Sequence, residues 1–238
     1  AAVTARLDHQ FPDVRHAAVL ALAEIADRGN GPALEALGRR LQDSYRPVRT
    51  AAIEALSQLV ERGDSGAVDA LLMALKDGDS LVRRAAVRAL AEVAHRGDQR
   101  CVSAAIGLLG EEDAGLKRAA AKALAELAPP GDARSVTALC GQLGASSATV
   151  RSATVEALAE LAQQGDQEAV TSVCRCLQDD DLGVKWAAVT ALGSLAEPGD
   201  FAVLEAVSQL LADEDPDLNE AGLETLLLLD EVELVPAN

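Results

Sequence analysis

Aromatic side chains are nearly missing from this sequence. Its 238 residues hold two Phe, one Tyr and one Trp, 2% in all. A single-core domain of this length would use more large rings to fill its interior. Here Ala, Leu and Val must form the core, in thin layers between close helices. Bases are also scarce. Lys and Arg number 21 against 38 Asp and Glu, a formal charge of −17, which argues against a nucleic-acid backbone as partner. No run of 18 or more apolar residues occurs, which excludes a direct membrane insertion. No basic segment followed by an apolar stretch opens the chain, so no signal peptide is visible. The four cysteines, Cys101, Cys140, Cys174 and Cys176, match no zinc spacing. They read as small core fillers and free thiols, which implies a reducing compartment such as the cytoplasm or plastid stroma.

What is present is order. Hydrophobic residues make up 49% of the chain, in periodic array, which argues against disorder. Gly-Asp recurs at Gly63-Asp64, Gly97-Asp98, Gly131-Asp132, Gly165-Asp166 and Gly199-Asp200, with Gly29-Asn30 ahead of them. Each step is 34 residues, and the chain length is seven such steps. A second series keeps the same step: Val14-Arg15, Val48-Arg49, Val82-Arg83, Leu116-Lys117, Val150-Arg151, Val184-Lys185 and Leu218-Asn219. Two independent markers with one period establish a repeat.

Each repeat reads as two helices. Over residues 13–28 the apolar positions Val14, Ala17, Ala18, Ala21, Leu22 and Ile25 follow the i, i+3, i+4, i+7 rule. In this helix B one column is always Ala (17, 51, 85, 119, 153, 187, 221), which predicts a close backbone there. Another is always Leu (22, 56, 90, 124, 158, 192, 226), which predicts a fixed socket. Helix A, near residues 32–42, has its own Leu column at 41, 75, 109, 143, 177 and 211. The Gly of each Gly-Asp ends helix B in a left-handed conformation, and the Asp caps the next helix A. The Arg-Gly-Asp triplets at 62–64 and 96–98 are therefore turns rather than adhesion motifs. Neither helix buries its stripe alone, so the expected fold is all-α, an α-solenoid of about seven 34-residue helix-turn-helix repeats. The expected organisation is one array over residues 1–230 and a tail over 231–238. Residues 1–7 match only the second half of helix A, so the first repeat is incomplete, and no initiator Met is present. This suggests a processed or truncated piece of a longer protein.

An acid at the A–B turn is followed six positions later by a base: Asp43 and Arg49, Asp77 and Arg83, Glu111 and Lys117, Asp179 and Lys185. With these residues the chain resembles the HEAT-repeat family, in particular the short HEAT-like repeats named from phycobilisome lyases. The resemblance implies an acid–base ladder between neighbouring repeats and B helices lining the concave side. The pattern breaks at His9, Ala145 and Asn219. Ala145 leaves Arg151 without an acid in its own repeat, so layers that are softer, or that use other partners, are expected at these breaks. The resemblance also raises a bilin-lyase-type chromophore-handling module, acting with a partner subunit, as an alternative function.

Catalytic chemistry finds little support. The three His are followed by Gln10, Ala17 and Arg96, so no His-Glu iron pair exists. No phosphate loop follows a strand, and no Ser/His/Asp grouping can be argued. No cofactor is called for, and the expected function is a non-enzymatic scaffold binding protein partners, alone or within a larger assembly.

The exposed B columns supply candidate docking residues. Arg84, Arg88, Arg118 and Lys122 form a basic square across repeats three and four, suited to an acidic peptide or anionic group. Trp186 is the single Trp, in an otherwise polar column. Leu227 and Leu228 occupy columns that hold small or polar residues elsewhere, and the tail residues Val232, Leu234 and Val235 or another protein would cover them. Residues 186–238 hold twelve acids and no Lys or Arg, whereas the first 185 hold 26 acids and 21 bases. That end reads as a soluble cap or a surface for a basic partner.

Overall fold

A computed structural model describes residues 3–211 and 215–230 of the chain, and the expected tail over 231–238 lies outside them. Among the described residues there are thirteen α-helices and no strand. Contacts group the chain into two compact units, Ala1–Leu127 and Ala128–Asn238. The first contains a 3-10 turn (Thr4–Arg6) and helices α1 (Pro12–Ile25), α2 (Gly31–Arg40), α3 (Arg46–Leu59), α4 (Ser65–Ala74), α5 (Ser80–Val93), α6 (Gln99–Leu108) and α7 (Ala114–Leu127). Here α1, α3, α5 and α7 stack side by side as the B layer, with α2, α4 and α6 packed against them. The second unit contains α8 (Ala133–Cys140), α9 (Ala148–Leu161), α10 (Gln167–Cys176), α11 (Leu182–Leu195), α12 (Phe201–Leu210) and α13 (Pro216–Leu229). Its B layer is α9, α11 and α13, against α8, α10 and α12. Within each unit the layers stack as in an α-solenoid.

The turn markers do more than turn. Gly63 has φ +88°, and the other five marker glycines are also left-handed. Each glycine N–H donates to the last-turn carbonyl of the following B helix, as in Gly29 to Leu59 at 2.7 Å and Gly165 to Leu195 at 2.7 Å. These bonds satisfy helix-end carbonyls that would otherwise be orphaned. The preceding side chain helps: Arg62 donates to the Ala94 carbonyl at 3.0 Å, and Gln164 to the Ala196 carbonyl at 3.0 Å. The following Asp accepts from helix A, as Asp64 does from the Ala67 N–H at 2.8 Å. All three members of Arg62-Gly63-Asp64 thus have intramolecular partners, and the turn reading holds.

The core columns are partly as expected. Leu22, Leu56, Leu90, Leu124, Leu158 and Leu192 are buried, and Leu226, at the end of the column, is half-buried. The Ala column is buried at Ala51, Ala119 and Ala153 but only half-buried at Ala85, Ala187 and Ala221, and exposed at Ala17. The tightest column lies one residue on, through Ala18, Ala52, Ala86, Ala120, Thr154, Ala188 and Gly222, each buried. Thr154 fits because its hydroxyl donates to the Val150 carbonyl at 2.7 Å.

The ladder runs forward. Arg15 reaches Asp43 through two bonds of 2.7 Å, Arg49 reaches Asp77 at 2.8 Å, and Arg151 reaches Asp179 at 2.7 and 2.6 Å. Each base also donates backward to a backbone carbonyl six residues earlier, His9 for Arg15, Asp43 for Arg49 and Ala145 for Arg151. A carbonyl is present whatever the side chain, so His9 and Ala145 leave Arg15 and Arg151 fully engaged. Of the two outcomes expected at the breaks, these two bases take the second and use other partners, Asp43 and Asp179 of the next repeat. The Asp179 carboxyl sits below the usual carboxylate range, chiefly through the Arg151 hydrogen bond, with burial opposing. For Asp43 burial acts upward, and the bond from Arg15 with the Tyr45 N–H outweighs it.

Candidate partner-binding surface

Arg84 and Arg88 stand four residues apart on α5, and Arg118 and Lys122 do the same on α7. Four residues of helix rise about 6 Å, so the side chains on each helix share one face. As α5 and α7 are neighbours in the B layer, the structure brings all four together around one groove of about 680 Å³. The groove exists because its floor is short-chained: Ala85, Ala91, Ala119 and Ala123 line it. Arg84 lies across Gly115, where a Cβ would come within 2.7 Å of its Nη1. Asp113 is held below the usual carboxylate range mainly by the Leu116 N–H and the Ser80 hydroxyl, with the Arg84 charge adding to them.

Arg88, Arg118 and Lys122 are exposed and Arg84 is half-buried. Among the described residues, Arg84, Arg88 and Arg118 form no hydrogen bond or ion pair. Three guanidinium groups with free donors around one concavity suit a carboxylate or similar anion, since each can bind it through two parallel bonds.

The other candidates lie in the second unit. Trp186, on α11, is 50% exposed. On α13, Leu227 is 71% and Leu228 61% exposed, with Leu223 half-exposed beside them. Leu228 rests near Gly193 of α11, whose Cβ position is 3.6 Å from Leu228 Cδ1. The tail residues offered as their cover, Val232, Leu234 and Val235, lie outside the described residues.

Three glutamates of the groove were missed in the sequence: Glu54 of α3, Glu92 of α5 and Glu126 of α7. The signal was there, since Glu92 and Glu126 continue the i, i+4 series of the bases. Among the described residues no group of three His, Cys, Asp or Glu is placed to hold a metal, and no helix is long and apolar enough to cross a membrane. Burial pushes the thiols of Cys101, Cys174 and Cys176 up to about 11, so they are poor nucleophiles near neutral pH.

A family model for HEAT repeats matches residues 1–91, 68–159 and 143–227. No curated protein matches the sequence. Similar solved structures include an engineered protein from the Northeast Structural Genomics Consortium, 23% identical with TM-score 0.64, covering 96% of this chain and 67% of that one. The complex of CpcE and CpcF of phycocyanin lyase from Nostoc sp. PCC7120 is 21% identical with TM-score 0.56, covering 96% and 92%. A designed armadillo repeat protein in complex with the peptide (KR)4 is 18% identical with TM-score 0.57, covering 96% and 98%. At these identities the likeness concerns the fold.

Proposed function

The chain belongs to the HEAT-repeat family, and on that premise we propose that it is a scaffold that binds another protein and carries out no chemistry of its own. The observation that carries this reading is the set of free guanidinium groups of Arg84, Arg88 and Arg118 around one groove. Peptide or protein complexes among structures of similar fold support the same reading. Trp186 and the exposed Leu227 and Leu228 are proposed as further contact points.

The test is the double substitution Arg84→Glu with Arg118→Glu. Partners retained by the unaltered chain at low salt should be lost, the salt dependence of association should flatten, and helicity should stay unchanged. Unaltered retention at low salt returns the groove to a solvated surface. The bilin-lyase alternative rests on fold likeness alone, and a shift in the absorbance spectrum of a bilin on mixing with the purified chain would favour it.

A further inference from the structure

The groove is electrically polar along its length. Reading down α5, the exposed face runs Arg84, Arg88, Glu92, and down α7 it runs Arg118, Lys122, Glu126. Both helices point the same way, as a 34-residue repeat requires. On α5 and α7 the bases thus gather at one end of the groove, with Glu54 of α3 at the register of Arg88 along its side, and two acids close the other end about 6 Å beyond the last base. Neither Glu92 nor Glu126 has a hydrogen bond or ion pair among the described residues.

Helix stability does not account for this order. Glu92 and Glu126 stand in the last turns of α5 and α7, where the helix dipole disfavours an acid. A base placed four residues before an acid is also the weaker orientation for a pair within a helix. The acid column recurs at Glu24 and Glu160, whereas the paired bases occur only in repeats three and four. Among these B-helix columns, repeats three and four therefore join a basic end to an acidic one.

Taking the groove as the docking site just proposed, we infer that its occupant is an extended peptide segment with two charge blocks. Carboxylates lie over the end at Arg84 and Arg118, and basic side chains lie over the end at Glu92 and Glu126. The dimensions agree. From Leu81 to Glu92 the helix rises about 16 Å, the length of about five extended residues. Alternate side chains of such a strand are about 6.6 Å apart, close to the rise between Arg84 and Arg88. A uniformly acidic segment would set its distal carboxylates against Glu92 and Glu126.

Four labelled hexapeptides test this by fluorescence anisotropy at low salt: three Glu then three Lys, the same composition alternating, six Glu and six Lys. The block peptide should bind at least fivefold tighter than the alternating one. Glu92→Lys with Glu126→Lys should transfer the preference to six Glu. Equal binding of block and alternating peptides overturns the two-block inference and leaves docking at the groove intact. Tightest binding of six Glu or six Lys to the unaltered chain overturns it as well, as does equal binding of a labelled RNA hexamer. Binding of none of the probes removes the docking reading itself.

Discussion

Replacing Arg151 with Met tests how one repeat is tied to the next. Arg151 donates to both Asp179 oxygens, at 2.7 and 2.6 Å, and to the Ala145 carbonyl at 2.8 Å. The two side chains are only 16% and 11% exposed. An exposed pair would contribute under about 1 kcal/mol, but hydrogen bonds to charged groups shielded from water contribute about 1.5–3 kcal/mol. Met preserves the apolar stem contacts. It leaves Asp179 accepting from the Asp181 N–H, at 2.9 Å. The expected loss is about 2–3 kcal/mol, read from urea titration at constant m. Arg151→Lys keeps the charge without the fork and should lose about half as much. The pH dependence supplies a second readout. Asp179 is held below its unfolded value, so its contribution is full above about pH 4 and is lost as pH falls through the lower folded value. The variant should therefore decline less steeply on acidification than the parent. A double-mutant cycle of Arg151→Met with Asp179→Asn should give a coupling above about 1 kcal/mol. Coupling near zero refutes the forward ladder.

Leu124→Ala, at a fully buried position, should destabilise by about 2–5 kcal/mol; hydrogen exchange should quicken first in α5, α6 and α7, since repeats touch only their neighbours. Gly222→Ala should stabilise by about 0.5–1 kcal/mol. Its new Cβ would meet Leu211 Cδ2 at 3.5 Å, an ordinary contact, and a rise in Tm checks it. Leu227→Glu with Leu228→Glu should change stability by no more than about 0.5 kcal/mol while weakening association measured by sedimentation. Unfolding of that variant would show that these leucines are covered.

The repeat and its turns were legible because they rest on backbone demands that few residues meet. A left-handed position selects Gly63 and its equivalents, and an open helix N-terminus selects Asp64. The direction of the ladder was not legible from spacing. With a strict 34-residue period, an acid six residues before a base and an acid 28 residues after it occupy one column. Only interrupted columns separate the two arrangements. Arg15 has His9 behind and Asp43 ahead, and Arg151 has Ala145 behind and Asp179 ahead; both take the acid ahead. The glycine N–H bonds to the next helix were hidden for another reason. They use backbone atoms at both ends and leave no trace in side-chain choice.

The candidate site divides along the same line. That Arg84, Arg88, Arg118 and Lys122 share a face follows from i, i+4 spacing on neighbouring helices, and the structure places them so. That they surround a concavity depends on Ala85 and Ala119, whose all-Ala column reads as tight core. In fact Ala85 is half-open to the groove. An invariant Ala column has two physical causes, a close backbone or a floor that must stay low, and residue identity cannot separate them. Here the second applies at Ala85, while the next column carries the close approach. A Leu or Phe at Ala85, Ala119 or Ala123 would fill the space between Arg84 and Arg118. The same shortage of bulky side chains that makes the core thin thus leaves room for a partner between the bases.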